Sequence, residues 1–584
     1  MPSIHITGAD DKEAKATRMS LPTDKGHDHD TSLTEFEEAL SLTGHGKFHH
    51  LLLLGCGLCL ISMISETIST SYLLPAAQCD FDMSSSEKGL LSAVVYIGMI
   101  CSSHMWGFLA DTKGRRKILV FTLFMNSLCN ITAGFMPTFW LYFTMRFLNG
   151  IFICGPSSVV YAYLGEFHSE KTRTRAMVWV CVYIALGMGI QPGIAWLIIP
   201  QKWSLDLPWY TFHSWRVFAM VCGLPSLLTA ILLVIFMPES PKFLLAAGRE
   251  HEAMDVLRHV YAMNSGKEPS HYPVKALKLD AQTIYAAESS SPLAIMKHMW
   301  YQTKPIFRPP YILTTVVACF IQFGLYASSN GFLLWIPDLF NRLGQYLILH
   351  PNETATVCTA INALNQLTLV DDNAVVPLAE NYTQFMIVQQ MDATNETAIF
   401  PPEYLLENIT AIISDVVDGM THYNIFDNSS DGLPPVSSCN SDVDPLAFQN
   451  TLIIGLASAI AYLVVGQLIS YIPKKTLLVL LLVASGSSGM GMYFAQTYLQ
   501  ILLLSGCFLV LSGMCVSVVN SVVIDVFPTH LRAMAICMSL MMGRVGTVSS
   551  SVLLGVLLDL NCALAIFLLS SIVIGCGLMS LLLP

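Results

Sequence analysis

The sequence predicts an all-α membrane protein. It has twelve transmembrane helices in two pseudo-symmetric six-helix halves, with a lumenal domain inserted between helices 7 and 8. Three observations predict it. Twelve apolar segments each approach the ~20 residues that a bilayer-crossing helix needs. The stretch Gly107–Val120 recurs at Gly466–Val479 without a gap. One long polar segment is acidic and rich in glycosylation acceptors.

The chain is 53% hydrophobic and 12% charged, with a mean hydropathy of +0.56. A soluble domain carries about 25% charged residues, so most of this chain lies in lipid. The apolar segments fall at 50–75, 88–110, 118–137, 140–164, 176–200, 215–237, 311–336, 449–472, 476–494, 498–524, 533–558 and 562–583. The first is too long for a cleaved signal and is followed by another span, so it is a retained helix 1.

Orientation follows from the basic residues. Lys113, Arg115, Arg116 and Lys117 lie between helices 2 and 3, and Lys171, Arg173 and Arg175 between helices 4 and 5. Lys474, Lys475 and Arg532 take the matching places in the second half. All share one side with the N-terminus, which is therefore cytoplasmic. Residues 338–447 hold 15 acidic residues against the single basic Arg342, more than the whole net charge of −11. The acidity belongs to this loop and argues against nucleic acid as a partner. The loop carries sequons at Asn352, Asn381, Asn395, Asn408 and Asn428, which only a lumenal segment can use. A sixth match, Asn130-Ile131-Thr132, lies within helix 3 and is expected to be silent.

The domains follow: an N-tail (1–47), a six-helix half (48–237), a cytoplasmic segment (238–310), helix 7 (311–336), the glycosylated loop (337–448), and helices 8–12 (449–584). Residues 33–42 have the pattern of a short amphipathic helix. Ser240 can cap, and Pro241 can open, a helix after helix 6. Apolar residues at 253, 254, 257, 260 and 261 continue at helical spacing, which predicts a small bundle under the membrane. His27-Asp28-His29-Asp30 and Cys56-Gly57-Leu58-Cys59 have ligand-like spacings. They are read as a solvated tail and as packing in helix 1, so no metal or cofactor is expected. Cys358 and Cys439 flank most of the loop and are expected to pair, with Cys79 as a competitor.

The repeat is internal. An offset of 359 also carries Glu166 onto Asp525, Arg173 onto Arg532 and Gly187 onto Gly546. Leu74-Pro75 and Ile336-Pro337 match at 262, and the difference marks the inserted loop. Duplicated halves are the usual plan of a secondary transporter.

Gly107, Leu109, Ala110, Asp111, Gly114, Arg115 and Arg116 resemble the helix 2–3 signature of the major facilitator superfamily, G-x-L-A-D-x-x-G-R-R. In the second copy Ser470 replaces the aspartate and Pro473 the second glycine. Pro238–Leu244 (PESPKFL) resembles the helix 6 exit of sugar, organic-ion and synaptic vesicle glycoprotein relatives. Phe36–Leu40 with Gly44–His49 (GHGKFH), and Asn330–Phe340 (NGFLLWIPDLF), resemble the synaptic vesicle glycoprotein 2 family, which also carries a glycosylated domain between helices 7 and 8. The loop itself has no clean five-residue repeat.

The resemblance implies alternating access, with Gly107, Asp111, Gly114, Arg115, Arg116, Glu166, Arg173, Asp525, Arg532 and Arg544 as a conformational gate. Glu66 lies mid-helix 1, where a carboxylate is expensive unless it faces a cavity or a partner. It reads as a cation or proton site in the central cavity, or as a structural pair with Arg146 or Arg544. Arg146, opening the helix 4 stretch RFLNGIFICG, serves coupling or buttresses helices 1 and 4. Trp196, Gln322, Asn330, Trp335 and Asn520 are further cavity candidates. Gly187–Gly193 forms a glycine-proline bend for close packing.

The expectation is a multi-pass vesicle or plasma-membrane transporter for a small organic ion or sugar-like solute, surrounded by lipid. Vesicle-trafficking partners could engage the N-tail. The alternative is a non-transporting membrane glycoprotein that acts as an organiser or receptor. No nucleophile–base set or H-E-x-x-H pattern marks an enzyme. Glycosidase should increase gel mobility, and replacing all five loop asparagines should abolish that shift. An unshifted band from a secretory-competent cell rejects the topology.

Overall fold

The computed structural model describes residues 34–208, 210–277, 304–349, 356–363, 445–468, 471–527 and 529–583. The five loop sequons, Cys439 and the His27–Asp30 run lie outside them. All twelve apolar segments are helical. Helices 1–5 are Lys47–Phe81, Ser85–Lys113, Arg115–Ala133, Phe139–Glu166 and Glu170–Ile198. Helix 6 is the pair Ser214–Cys222 and Leu224–Phe236, broken where Pro225 follows Gly223. Helices 7–12 are Ile312–Leu349, Pro445–Leu468, Lys474–Met492, Tyr498–Val526, Thr529–Leu560 and Cys562–Ser580.

Ten of these helices are long and apolar enough to cross a membrane. Helix 3 is not among them. It opens on Arg115, Arg116 and Lys117 and carries Asn126 and Asn130, both fully buried. Helix 8 is apolar over Leu446–Ala461.

Two helices outrun the sequence expectation. Helix 1 continues through Pro75 to Phe81, and helix 7 continues through Pro337 to Leu349, past the expected close at residue 336. A proline removes one hydrogen bond within a helix, but beyond Pro337 other forces sustain it. Leu339, Leu343 and Tyr346 recur on one face and are buried. Asp338 and Arg342 pair one turn apart at 2.9 Å. The loop therefore leaves helix 7 later than expected, and Arg342 belongs to the helix. The segment after helix 5 is an unforeseen hairpin, in which β1 (Ser204–Leu207) pairs antiparallel with β2 (Tyr210–His213).

The repeat is visible in packing. A Cβ on Gly187 of helix 5 would meet Ile64 and Ile61 of helix 1. A Cβ on Gly546 of helix 11 would meet Phe323 and Ala327 of helix 7. One pair of those partners is itself related by the 262 offset: Ile61 maps onto Phe323. Within one core spanning both halves, helix 2 packs on helix 11 and helix 5 on helix 8.

A second, smaller core lies at the end bearing the basic turns, here the basic face. Ser240 Oγ accepts from Phe243 N at 3.2 Å, capping helix Pro241–Ala246 with proline at its first position. Helix Glu250–Ser265 buries Ala253, Met254, Leu257 and Val260. Helix Phe36–Leu42 lays Ala39 and Leu40 onto this cluster.

The opposite end, where the acidic loop emerges, is here the loop face. Cys358, in a short helix at 357–363, bonds to Cys562 at the start of helix 12, with Cα atoms 5.4 Å apart. This corrects the expected Cys358–Cys439 pair. Residues 357–363 pack onto the C-terminal half, with Val357, Ala360 and Ile361 buried, and this brings Cys358 to the helix 11–12 turn. Cys79 is also disulfide-bonded. Peptide mapping without reduction should recover Cys358 linked to Cys562, and Cys562→Ser should cost about 2–4 kcal/mol of stability. Recovery of Cys358 with Cys439 rejects the pairing.

Candidate functional site

The helix 2–3 turn explains its own sequence. Gly114 has φ 108°, and a Cβ there would clash with Glu239 Oε2. Only glycine suits that backbone and that approach. Glu239, from the segment after helix 6, accepts from Arg116 N at 2.9 Å and Lys117 N at 3.4 Å. It thus caps helix 3 with a carboxylate at the positive end of the helix dipole. The Arg116 side chain donates to Leu233 O at 3.1 Å and Val234 O at 2.6 Å, near the end of helix 6. Its repeat mate Lys475 donates to Leu583 O, beyond helix 12, at 2.6 Å. Each half therefore closes with a cation on the carbonyl end of its last helix.

Arg115 bonds Asp111 at 2.8 Å and lies 3.1 Å from Glu166. Its side chain is only 14% exposed, whereas Asp111 is 70% exposed. Arg173 donates to Gly165 O and His168 O, and pairs with Glu37 at 2.7 Å. All these contacts lie within the N-terminal half or its attached tail. The side chains of Asp525 and Arg532 lie outside the described residues.

Glu66 does not line the gap between halves, which corrects the expected cavity position. It is fully buried and bound from three sides by its own half. Arg146 Nη1 donates to Oε1 at 2.5 Å, Asn149 Nδ2 to Oε1 at 3.1 Å, and Asn130 Nδ2 to Oε2 at 2.5 Å. Arg146 Nη2 donates to Glu66 O, Ser69 Oγ and Thr70 Oγ1, at 3.1, 2.9 and 2.6 Å. The physical reason is supply: helices 3 and 4 turn Asn130, Arg146 and Asn149 toward helix 1, so the carboxylate finds its donors without water. Asn130, read from sequence only as a silent sequon, is one of those donors.

Arg544 reaches from one half to the other. From helix 11 its Nη2 donates to Ser157 Oγ on helix 4 at 3.2 Å, and Nη1 lies 3.8 Å from Cys154 Sγ. Tyr96 of helix 2 and Tyr326 of helix 7 lie within its electrostatic reach. Arg544, Ser157 and Tyr326 are half-buried. Among the described residues, no carboxylate pairs with Arg544. The two tyrosines carry no sequence signal beyond their depth in apolar segments.

The other candidates scatter. Gln322 donates to Asn520 Oδ1 at 2.8 Å, joining helices 7 and 10, and its own Oε1 is buried without a partner among the described residues. Asn330 is half-buried on the same helix 7 face, two turns on. Trp335 is fully buried in an apolar crevice with Leu339, Leu558 and Ile566, and its Nε1 donates to Ser551 O at 3.3 Å. Trp196 is 41% exposed near the loop-face end of helix 5.

The loop face holds a lock that sequence reading missed. Lys88 of helix 2 and Asp338 of helix 7 lie 3.4 Å apart with side chains 3% and 2% exposed, and Arg342 supports the aspartate. Beside it a Cβ on Gly89 would meet Ser551 O of helix 11 at 2.8 Å. Gly107 lies 18 residues along helix 2, five turns of 3.6 residues, and so on the same face. Among the described residues a Cβ there would meet nothing within 4 Å. Lys88–Asp338 and the Gly89–Ser551 approach join the halves at the loop face.

Two six-helix bundles that share a repeat and meet across helices 2 and 11 and helices 5 and 8 define a multi-pass membrane protein of two related halves. The model of the Major Facilitator Superfamily matches residues 54–360, and the chain belongs to that superfamily. Among curated proteins it is similar to mouse (Mus musculus) synaptic vesicle glycoprotein 2B, 30% identical over 363 residues, which are 57% of this chain and 53% of that protein. It is likewise similar to human (Homo sapiens) synaptic vesicle glycoprotein 2A, 32% identical over 326 residues, 53% of this chain and 44% of that protein. The chain thus spans about half the length of the curated relatives it matches. Its fold is that of the xylose transporter XylE from E. coli. The partially occluded inward-open form gives a TM-score of 0.56 at 12% identity, covering 91% of this chain and 98% of that one. The inward-open form gives 0.57 at 13%, covering 92% and 96%.

Neutralising Glu66 alone strands Arg146 in the bundle. Glu66→Gln should cost roughly 3–5 kcal/mol, and an apolar pair, Glu66→Leu with Arg146→Met, should recover most of it. Thermal unfolding in detergent measures this. A Glu66→Gln protein as stable as the parent rejects the structural role of the pair.

Proposed function

We propose that this protein is a secondary transporter that carries a small organic anion by alternating access, with Arg544 at the centre of the substrate site. The observation that carries the reading is the position of Arg544: a guanidinium between the halves, half-buried, beside Ser157, Tyr96 and Tyr326. An intramembrane charge in such a place marks a ligand path, and a guanidinium binds a carboxylate or phosphate in bidentate fashion. The Lys88–Asp338 lock serves as the loop-face gate, and the Asp111–Arg115 turn as the gate at the basic face. The basic face is cytoplasmic on the charge rule, which puts the acidic loop in a vesicle lumen or outside the cell.

The rival reading is a membrane glycoprotein that organises or receives without transporting. It draws on the second motif copy, where Ser470 and Pro473 replace the aspartate and glycine. Uptake into liposomes by the purified full chain, across a panel of organic anions, organic cations and sugars, separates the two. Anion uptake is expected, with Arg544→Ala lowering its efficiency about 10–100-fold, the worth of a hydrogen bond to a charged group. Uptake of cations or sugars that ignores Arg544 reassigns the substrate. A folded protein that moves no solute supports the organiser.

A further inference from the structure

Three histidines converge at the basic face, where the turn before helix 1, the start of helix 1 and the turn between helices 4 and 5 meet. His45 is exposed, and His49 and His168 are 4% and 2% exposed. A ligand nitrogen of each lies within 4.8 Å of the other two. The His49 ring centroid is 4.8 Å from that of His45 and 4.7 Å from that of His168. A tetrahedral zinc ion with bonds of about 2.0–2.1 Å holds its nitrogens about 3.4 Å apart. Closing the set needs little more than an ångström of movement, and His45 stands on an exposed turn.

The two buried rings are already held as metal ligands are held. His168 Nδ1 faces Leu164 O at 2.9 Å. A carbonyl only accepts, so Nδ1 bears the hydrogen and Nε2 keeps its lone pair. His49 Nε2 faces Phe167 O at 3.1 Å, which leaves the lone pair on Nδ1. A backbone carbonyl taking the far N–H is the usual outer shell of a metal-bound histidine. His49 Nδ1 lies 3.1 Å from Asn264 Nδ2, which also faces Thr43 O and Gly44 O, both at 3.2 Å. The amide has two hydrogens for these three acceptors. His49 can therefore turn its lone pair to a metal without stranding Asn264.

Electrostatics favour neutral rings. Burial, with His50 and Arg175 nearby, lowers the pKa of His45. Burial, with His45 and Arg173, lowers that of His168. Arg173 is paired with Glu37, and Arg175 is exposed, so solvent screens much of the opposing charge.

We propose that His45, His49 and His168 form a binding site for a zinc-class divalent ion, with a fourth position open to water. It would tie the turn before helix 1 to the helix 4–5 turn. The test uses the full chain in detergent at pH 7.5, with His27→Ala and His29→Ala to silence the tail. Co2+ is titrated first, then displaced with Zn2+. One equivalent of Co2+ should give a tetrahedral visible band that Zn2+ abolishes and that acid releases, because protons compete for the imidazoles. His45→Ala should weaken binding at least tenfold, and His168→Gln should remove the band. If His168→Gln does not fold, His45→Ala decides alone, since its ring is exposed. Absence of a tetrahedral band, or a His45→Ala chain that binds as tightly as its parent, overturns the site.

Discussion

A charge at lipid depth is costly unless it meets a partner or faces a cavity, and the N-terminal half is organised around one buried pair. Glu66 and Arg146 tie helix 1 to helix 4, and Asn130 and Asn149 complete the carboxylate from helices 3 and 4. Its donors all belong to the same half. It stiffens a bundle and leaves the seam free. Among the described residues, two cations do cross the seam: Lys88 meets the carboxylate of Asp338, and Arg544 meets a hydroxyl and a thiol.

The halves share geometry but have diverged in chemistry. Gly187 and Gly546 seat helices 5 and 11 on equivalent positions of helices 1 and 7. Arg116 and Lys475 hold equivalent helix ends. The second half has Ser328, donating to Leu569 O, where the first has Glu66, and Pro473 where the first has Gly114. Packing contacts survive duplication because they need only shape. Charge networks survive only where several partners persist together.

This distinction also governs what the sequence revealed. The twelve spans, the Ser240–Pro241 helix start and the face of helix 250–265 were legible, because each depends on neighbours within a turn or two. The Lys88–Asp338 lock was not: its residues stand 250 positions apart, and Asp338 read as one more acid of the loop. Helix 7 was cut short because Pro337 looked like an end, whereas its continuation depends on Asp338, Arg342 and buried Leu343. Glu66 was recognised as costly, and its pairing with Arg146 was one of two readings. Choosing between cavity and partner required knowing that Asn130 and Asn149 turn inward. Cys562 sat at the start of an apolar segment and gave no sign of facing the loop.

The order of closure along the chain has a consequence for biosynthesis. The first half's deepest pair is complete once residue 146 has been made, its arginine clasp once residue 234 has been made, and its carboxylate cap at residue 239. Each of these closing contacts uses residues already made, before the first residue of helix 7 leaves the ribosome. Domains fold as units during synthesis, N-terminal first. The leading bundle can therefore hide its charges from lipid on its own. The trailing bundle then assembles against a finished surface.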